Sequence, residues 1–348
     1  LAVITGSSAF ADDDNKASPM PAIMLCRATV LMCGLFGLVL PVRAAEPTVL
    51  HVNTFPTARS LPFYVAIDRG FFARRGLQVE LAFTESSERQ REGLANGTVD
   101  IVHSAVDNAV AMADVAKVDV VIVSGGDSGT NEFDVQEAVR DFADIRGHAI
   151  VVDATNTAYA LQVKKILLQH GLKDGVDYTL NPVGNGSRRL KALLENRNNA
   201  GAILNLPYSL EAAAKGLHSL GRPTDILGPY QAGGAFVRRD WVREHAQTLE
   251  QYLAAFVEAL RWSLDPKNRA DAVGILVDKL NLPRDIAAKS LDLMAEPGFG
   301  FARDAAFDLA GFKNVLALRA EVEGGTPKDP QHYIDLSYYD RAMKLVKN

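Results

Sequence analysis

From residue 48 onward, short β-branched runs alternate with helical spacings, and the links between them are only a few residues long. TVLHVN (48–53), LQVELAF (77–83), VDIVHS (99–104) and VDVVIVS (118–124) predict strands. LPFYVAIDRGFFARRG (61–76), SSERQREGLANG (86–97) and DNAVAMADVA (107–116) predict the intervening helices, with Ser87 and Gln90 at capping-box spacing. The strands are nearly continuous apolar runs, as burial on both faces requires. Such units build parallel sheets covered by helices, an α/β fold.

A second set follows the polar, Gly-rich stretch 125–131. Strands are predicted at 148–153, 177–183 and 200–205, and helices at 157–171, 187–196 and 206–216. After about 236 the pattern turns helical. Leu249, Leu253, Phe256, Val257, Leu260 and Leu264 form one apolar stripe, and further helices are expected at 267–280, 284–295 and 305–321. A chain of 348 residues, 48% of them apolar, has material for two cores. The expected architecture is two-lobed: lobe 1 from 46–127 and 236–348, lobe 2 from 128–235, each a mostly parallel sheet flanked by helices. The C-terminal helices return to lobe 1, and the crossings fall near 125–131 and 230–237.

The amino-terminal segment stands outside this pattern. Residues 28–40 (ATVLMCGLFGLVL) are an apolar run too short to span a bilayer comfortably. Met20 and Arg27 precede the run, Pro41 ends it, and Val42-Arg43-Ala44 places small residues at the −3 and −1 positions of a cleavage site. Residues 20–44 are therefore expected to be a signal peptide cleaved after about Ala44, and 1–19 an upstream extension that takes no part in the fold. Cys26 and Cys33 both lie in this leader, so the expected mature chain has no disulfide or thiol chemistry. Cleavage removes three residues of each charge sign and leaves the formal charge at -5. No run of Lys or Arg offers a surface for nucleic acid. No metal-ligand spacing, P-loop, dinucleotide fingerprint or nucleophile elbow is present. No cofactor, metal or catalytic residue is expected.

In open α/β sheets ligands sit beyond the carboxyl ends of the parallel strands. That rule selects loops. After the first strand come Thr54, Phe55 and Arg59. Arg59 is either a bidentate partner for a carboxylate or sulfonate, or a solvated loop arginine. After the second, the stretch from Thr84 to Ser87, with Ser86, either meets an anion at a helix start or caps the helix. Ser104, Asp107 and Asn108 follow the third strand, as cleft hydrogen-bonding groups or helix caps. Gly126 permits close backbone approach or flexing. In the second lobe the rule selects Asn156 and Thr157, then Asn205 and Tyr208, the last as an aromatic wall or as surface packing. These residues suit a small, anionic or aromatic solute.

LPFYVAIDRGFFARRGLQVEL (61–81) resembles the opening of the periplasmic binding proteins for aliphatic sulfonates, taurine, nitrate and thiamine precursors. Gly70-Phe71-Phe72, then Gly76-Leu77-Gln78-Val79-Glu80, then Leu94, Ala95, Gly97 and Asp100 carry the likeness. FADIRGHAIVVD (142–153) resembles the start of that family's second lobe, and YLAAFVEALRWSLDPKNRADAVGILV (252–277) its C-terminal helices. The resemblance covers roughly 47–345. It implies the type II periplasmic-binding fold and a monomer in the periplasm. Its lobes close over one small-molecule solute, which passes to an ABC-type permease in the inner membrane. Fungal pyrimidine synthases of thiamine biosynthesis resemble the same fold, so a pyrimidine-precursor-synthase-like enzyme is the alternative. A sensory module would need a DNA-binding or membrane-spanning segment that this pattern lacks.

Overall fold

A computed structural model of the protein describes residues 46–347. The expected signal peptide, the upstream extension and both cysteines lie outside the described residues. Ten strands form two five-stranded sheets: β1 (Thr48–Thr54), β2 (Leu77–Phe83), β3 (Ile101–Ala105), β4 (Val120–Ser124), β5 (Asn131–Val135), β6 (Ala149–Val152), β7 (Thr179–Pro182), β8 (Asn199–Asn205), β9 (His218–Ser219) and β10 (Gly233–Arg238). The first sheet runs β2-β1-β3-β10-β4 and the second β7-β6-β8-β5-β9.

The two sheets follow one plan. β1 pairs in parallel with β2 and β3, and β10 lies antiparallel between β3 and β4. β6 pairs in parallel with β7 and β8, and β5 lies antiparallel between β8 and β9. In each sheet the antiparallel strand is the one that enters after the chain has crossed from the other sheet. β5 and β10 are absent from the sequence reading. NEFDV carries two acids beside its buried Phe133 and Val135, and GGAFVR opens on two glycines. Neither has the β-branched run that marks a strand, and ladder pairing and burial decide both. The expected crossing at 230–237 is thus largely β10.

Helices cover both faces of both sheets. Leu61–Asp68, Ala246–Leu264, Arg269–Leu280 and Arg284–Met294 close the largest core, where the Leu249, Leu253 and Leu260 stripe is buried against Leu50, Val52 and Ile101. Val106–Asp114 and Leu309–Glu323 cover the opposite face of the first sheet. Phe133, Ile150, Val163 and Ile166 fill one face of the second sheet, and Val151, Leu190 and Leu204 the other. The C-terminal helices thus pack on the first sheet. Among the described residues no helix is long and apolar enough to cross a membrane.

Candidate functional site

The loops at the carboxyl ends of the parallel strands of both sheets surround one space. β1 leads into Phe55, Thr57 and Arg59, β3 ends in Ser104 and Ala105 and leads into Asn108, and Ser87 opens the helix after β2. The second sheet supplies Asp153, Thr157 and Tyr159 after β6, Asn185, Gly186 and Arg189 after β7, and Asn205 at the end of β8. They line one narrow cavity, whose interior of about 30 Å³ has room for little more than a water in this closed arrangement.

Direct bonds close the space from both sides. Ala58 N donates to Leu206 O at 3.1 Å and Asn185 N to Glu85 O at 3.1 Å. The Tyr208 hydroxyl donates to Pro56 O at 2.7 Å, and Ser87 Oγ to Asp153 Oδ2 at 3.1 Å. At the rim Arg188 pairs with Glu85 at 2.7 Å, with both side chains about half exposed. An ion pair that exposed contributes about 0–1 kcal/mol, so the buried bonds matter more.

Two arginines set the electrostatics. Arg59 Nη1 donates to Asp127 Oδ1 at 2.7 Å. Burial works against the Arg59 charge, but Asp127 and the Tyr159 hydroxyl outweigh it and raise the pKa above the ordinary arginine value. Asp127 is itself fixed by the Gly129 N–H at 2.8 Å. A Cβ on Gly233 would lie 2.2 Å from Asp127 Oδ2, so only glycine leaves room for that carboxylate. Arg189 differs. It is 2% exposed, its guanidinium lies 4.5 Å over the Tyr159 ring, and Nη1 donates to Gly184 O at 3.0 Å. No carboxylate among the described residues pairs with it, and its Nε has no partner. Both oxygens of Asp153, by contrast, are occupied by the hydroxyls of Ser87 and Thr157. A buried cation without a counter-charge is costly unless an anion arrives to pair with it.

Of the residues singled out in the sequence, Phe55, Arg59, Ser104, Asn108, Thr157 and Asn205 line this cavity. Thr54 and Gly126 line an adjoining compartment that shares Phe55, Thr57, Arg59 and Ser104 with it. Ser86, Asp107, Asn156 and Tyr208 line neither. Ser86 is the N-cap of helix Ser87–Asn96 and accepts from Arg89 N at 3.3 Å. Its extended backbone suits a cap, whereas Ser87, the expected cap, is already helical. Asp107 is turned away from the cleft onto Arg319. Asn156 is exposed and borders a separate cavity with Glu88 and Arg91. Tyr208 stands behind Gly186 and closes onto Pro56; burial, more than Glu211, pushes its hydroxyl pKa up to about 12.

The sequence reading reaches Ser87 through the Thr84–Ser87 stretch, but it does not select Thr57, Asp127, Asp153, Tyr159, Asn185, Gly186 or Arg189 as ligand residues. Asn185, Gly186 and Arg189 follow the strand at 177–183, and the strand-end rule extended to that strand reaches them. Asp127 sits in the expected crossing, and only the pairing of β10 brings it to Arg59.

Two mixed α/β sheets with a cavity between their strand ends make this the type II periplasmic-binding fold. The profile of the NMT1-like family matches residues 43–277, and the chain belongs to that family. Among solved structures it is similar to the periplasmic nitrate-binding protein NrtA from Synechocystis PCC 6803, at 14% identity and a TM-score of 0.72, over 87% of this chain and 90% of that one. It is similar also to the periplasmic aliphatic sulphonate binding protein SsuA from Escherichia coli, at 18% identity and 0.66, over 83% and 92%. The desulfurization enzyme DSZB matches at 15% and 0.58, over 86% and 99%. At these identities the likeness is one of fold. A search of curated proteins by sequence finds no match.

Proposed function

We propose that this protein is the solute-binding component of an ABC-type importer, exported to the periplasm, which captures a small anionic organic solute between two closing lobes. The lobes are 46–127 with 236–348, and 128–235. They follow the two sheets, except that the first residues of β10 already belong with the first. The observation that carries the proposal is Arg189, buried in the wall of a cavity built from the strand ends of both sheets and lacking a carboxylate partner. An anion there completes a charge-assisted hydrogen bond and touches both lobes at once. It stabilises the closed arrangement by its differential affinity for it. The segments between β4 and β5 and between β9 and β10 absorb the rotation, and the closed molecule is what a permease in the inner membrane receives.

The test is a thermal-shift and calorimetric panel of carboxylates, sulfonates and nitrate, with mass spectrometry of whatever copurifies. A true solute at about 100 times its Kd stabilises by roughly 2.7 kcal/mol, and Arg189→Ala abolishes that gain. A panel with no shift in the wild type and no copurified anion overturns the proposal. The enzyme alternative rests on fold alone, and chemical turnover of the bound compound by the purified protein would establish it instead.

A further inference from the structure

The cavity continues past Arg59 into the second compartment, and the two ends differ in their aromatic content. The outer end holds Arg189, which has no ion-pair partner among the described residues, and the Asp153 carboxylate, bonded to the hydroxyls of Ser87 and Thr157. In the inner end the charged groups are Arg59 and Asp127, which neutralise each other at 2.7 Å. The rest of the inner wall joins the aromatic faces of Phe63, Phe256, Phe301 and His103, with Phe55 at the junction, to the hydroxyls of Thr54, Thr57 and Ser104 and to glycine backbone. His103 is 8% exposed, and neither ring nitrogen has a hydrogen-bond partner among the described residues. It lies edge-on to Phe63, with centroids 4.8 Å apart, and 4.6 Å from Phe256. Tyr252 packs beside it at 5.8 Å without a hydrogen bond. Burial pushes the His103 pKa down to about 3, so the ring is neutral and offers one donor and one acceptor without charge. A buried polar group left without a partner calls for an explanation, and one that lines a ligand cavity finds it in the ligand.

We infer that the solute is elongated: an anionic head held by Arg189, and a neutral aromatic or apolar tail that passes Arg59 into the inner compartment and presents a hydrogen-bonding group to His103. This rests on the proposed function and narrows it. A bare small anion leaves the aromatic compartment and His103 unused. A second charge on the tail would meet aromatic faces and an ion pair that is already balanced.

The experiment compares two matched series by calorimetry on the full chain. One is acetate, 3-phenylpropionate and 3-(4-hydroxyphenyl)propionate; the other is methanesulfonate and 2-phenylethanesulfonate. Within at least one series the aryl member binds at least about tenfold more tightly than the methyl member, since even one methylene in a fitted pocket is worth about that much. In the carboxylate series the phenol hydroxyl adds about fivefold, the size of one neutral hydrogen bond. His103→Phe and His103→Leu lose that increment while keeping the aryl gain. If the methyl anions bind as tightly as the aryl ones, the elongated solute is wrong and anion capture survives. If no member of either series binds, the anion reading falls with it. An aryl gain whose hydroxyl increment is unchanged in both His103 variants removes His103 from the site.

Discussion

Arg319 meets Asp107 across 212 positions of sequence, Nε to Oδ1 at 2.8 Å and Nη2 to Oδ2 at 2.7 Å, with both side chains buried. The fork-to-fork geometry outweighs the burial that works against the Arg319 charge, and its pKa is raised. Arg319 Nη2 also reaches Asn156 O at 3.3 Å, so the pair ties helix Leu309–Glu323 to the loop that carries Thr157.

Removing Asp107 leaves the buried Arg319 guanidinium with only the more exposed Glu323, at 2.7 Å, as its counter-charge. Asp107→Ala is expected to cost about 1.5–3 kcal/mol, read as a lower midpoint in urea unfolding with an unchanged slope. Solute selectivity is expected to stay the same, because Asp107 does not line the cavity. A loss below about 1 kcal/mol would show the pair to be dispensable.

Asp134 is 1% exposed in β5, and its Oδ2 has no partner. Burial, with a smaller push from Glu132, raises its pKa to about 8 from the model-compound value 3.8. The folded protein therefore holds this proton more tightly than the unfolded chain. Its contribution to stability is complete below about pH 4, declines as pH rises and is gone above about pH 8, with a slope of at most about 1.4 kcal/mol per pH unit. Asp134→Asn removes that slope. Denaturant midpoints of wild type and variant between pH 4 and 9 check it, and parallel curves would refute it.

Gly186 opens the helix that carries Arg189, and a Cβ there would lie 2.4 Å from the Tyr208 ring and 2.9 Å from Asn205 Oδ1. Gly186→Ala is expected to cost about 1–3 kcal/mol by overpacking. It also displaces Tyr208 from Pro56 and so weakens solute binding by at least about tenfold, because an unmade closing bond and a shifted wall act together. Calorimetry beside thermal unfolding separates the two effects.

Ser86 and Ser87 are neighbours with different work. Ser86→Ala removes the helix cap and is expected to lower stability by about 1 kcal/mol without changing solute affinity. Ser87→Ala removes the bond to Asp153 across the cleft, and its effect falls on affinity. Equal loss of affinity in both variants would return Ser86 to the site.

The alternation of apolar strands with amphipathic helices determined by itself that this chain forms parallel α/β layers, because backbone hydrogen bonds and apolar faces leave few other ways to bury Leu50, Val52 or Val120–Val123. It also reached part of the cavity wall, since strand direction fixes where carboxyl ends lie; Phe55, Arg59, Ser104, Asn108, Thr157 and Asn205 follow from that rule. Only the tertiary structure decided what those loops do to one another. Asp127 reaches Arg59 because β10 is inserted antiparallel beside β4. Asp107 leaves the cleft because a helix 212 residues away supplies Arg319. Arg189 has no ion-pair partner among the described residues, because Asp153, in the same cavity, is bonded to Ser87 and Thr157 instead. Local pattern reports which face of an element is buried, but the pairing of charges depends on contacts between distant segments, and those exist only once both sheets are folded together.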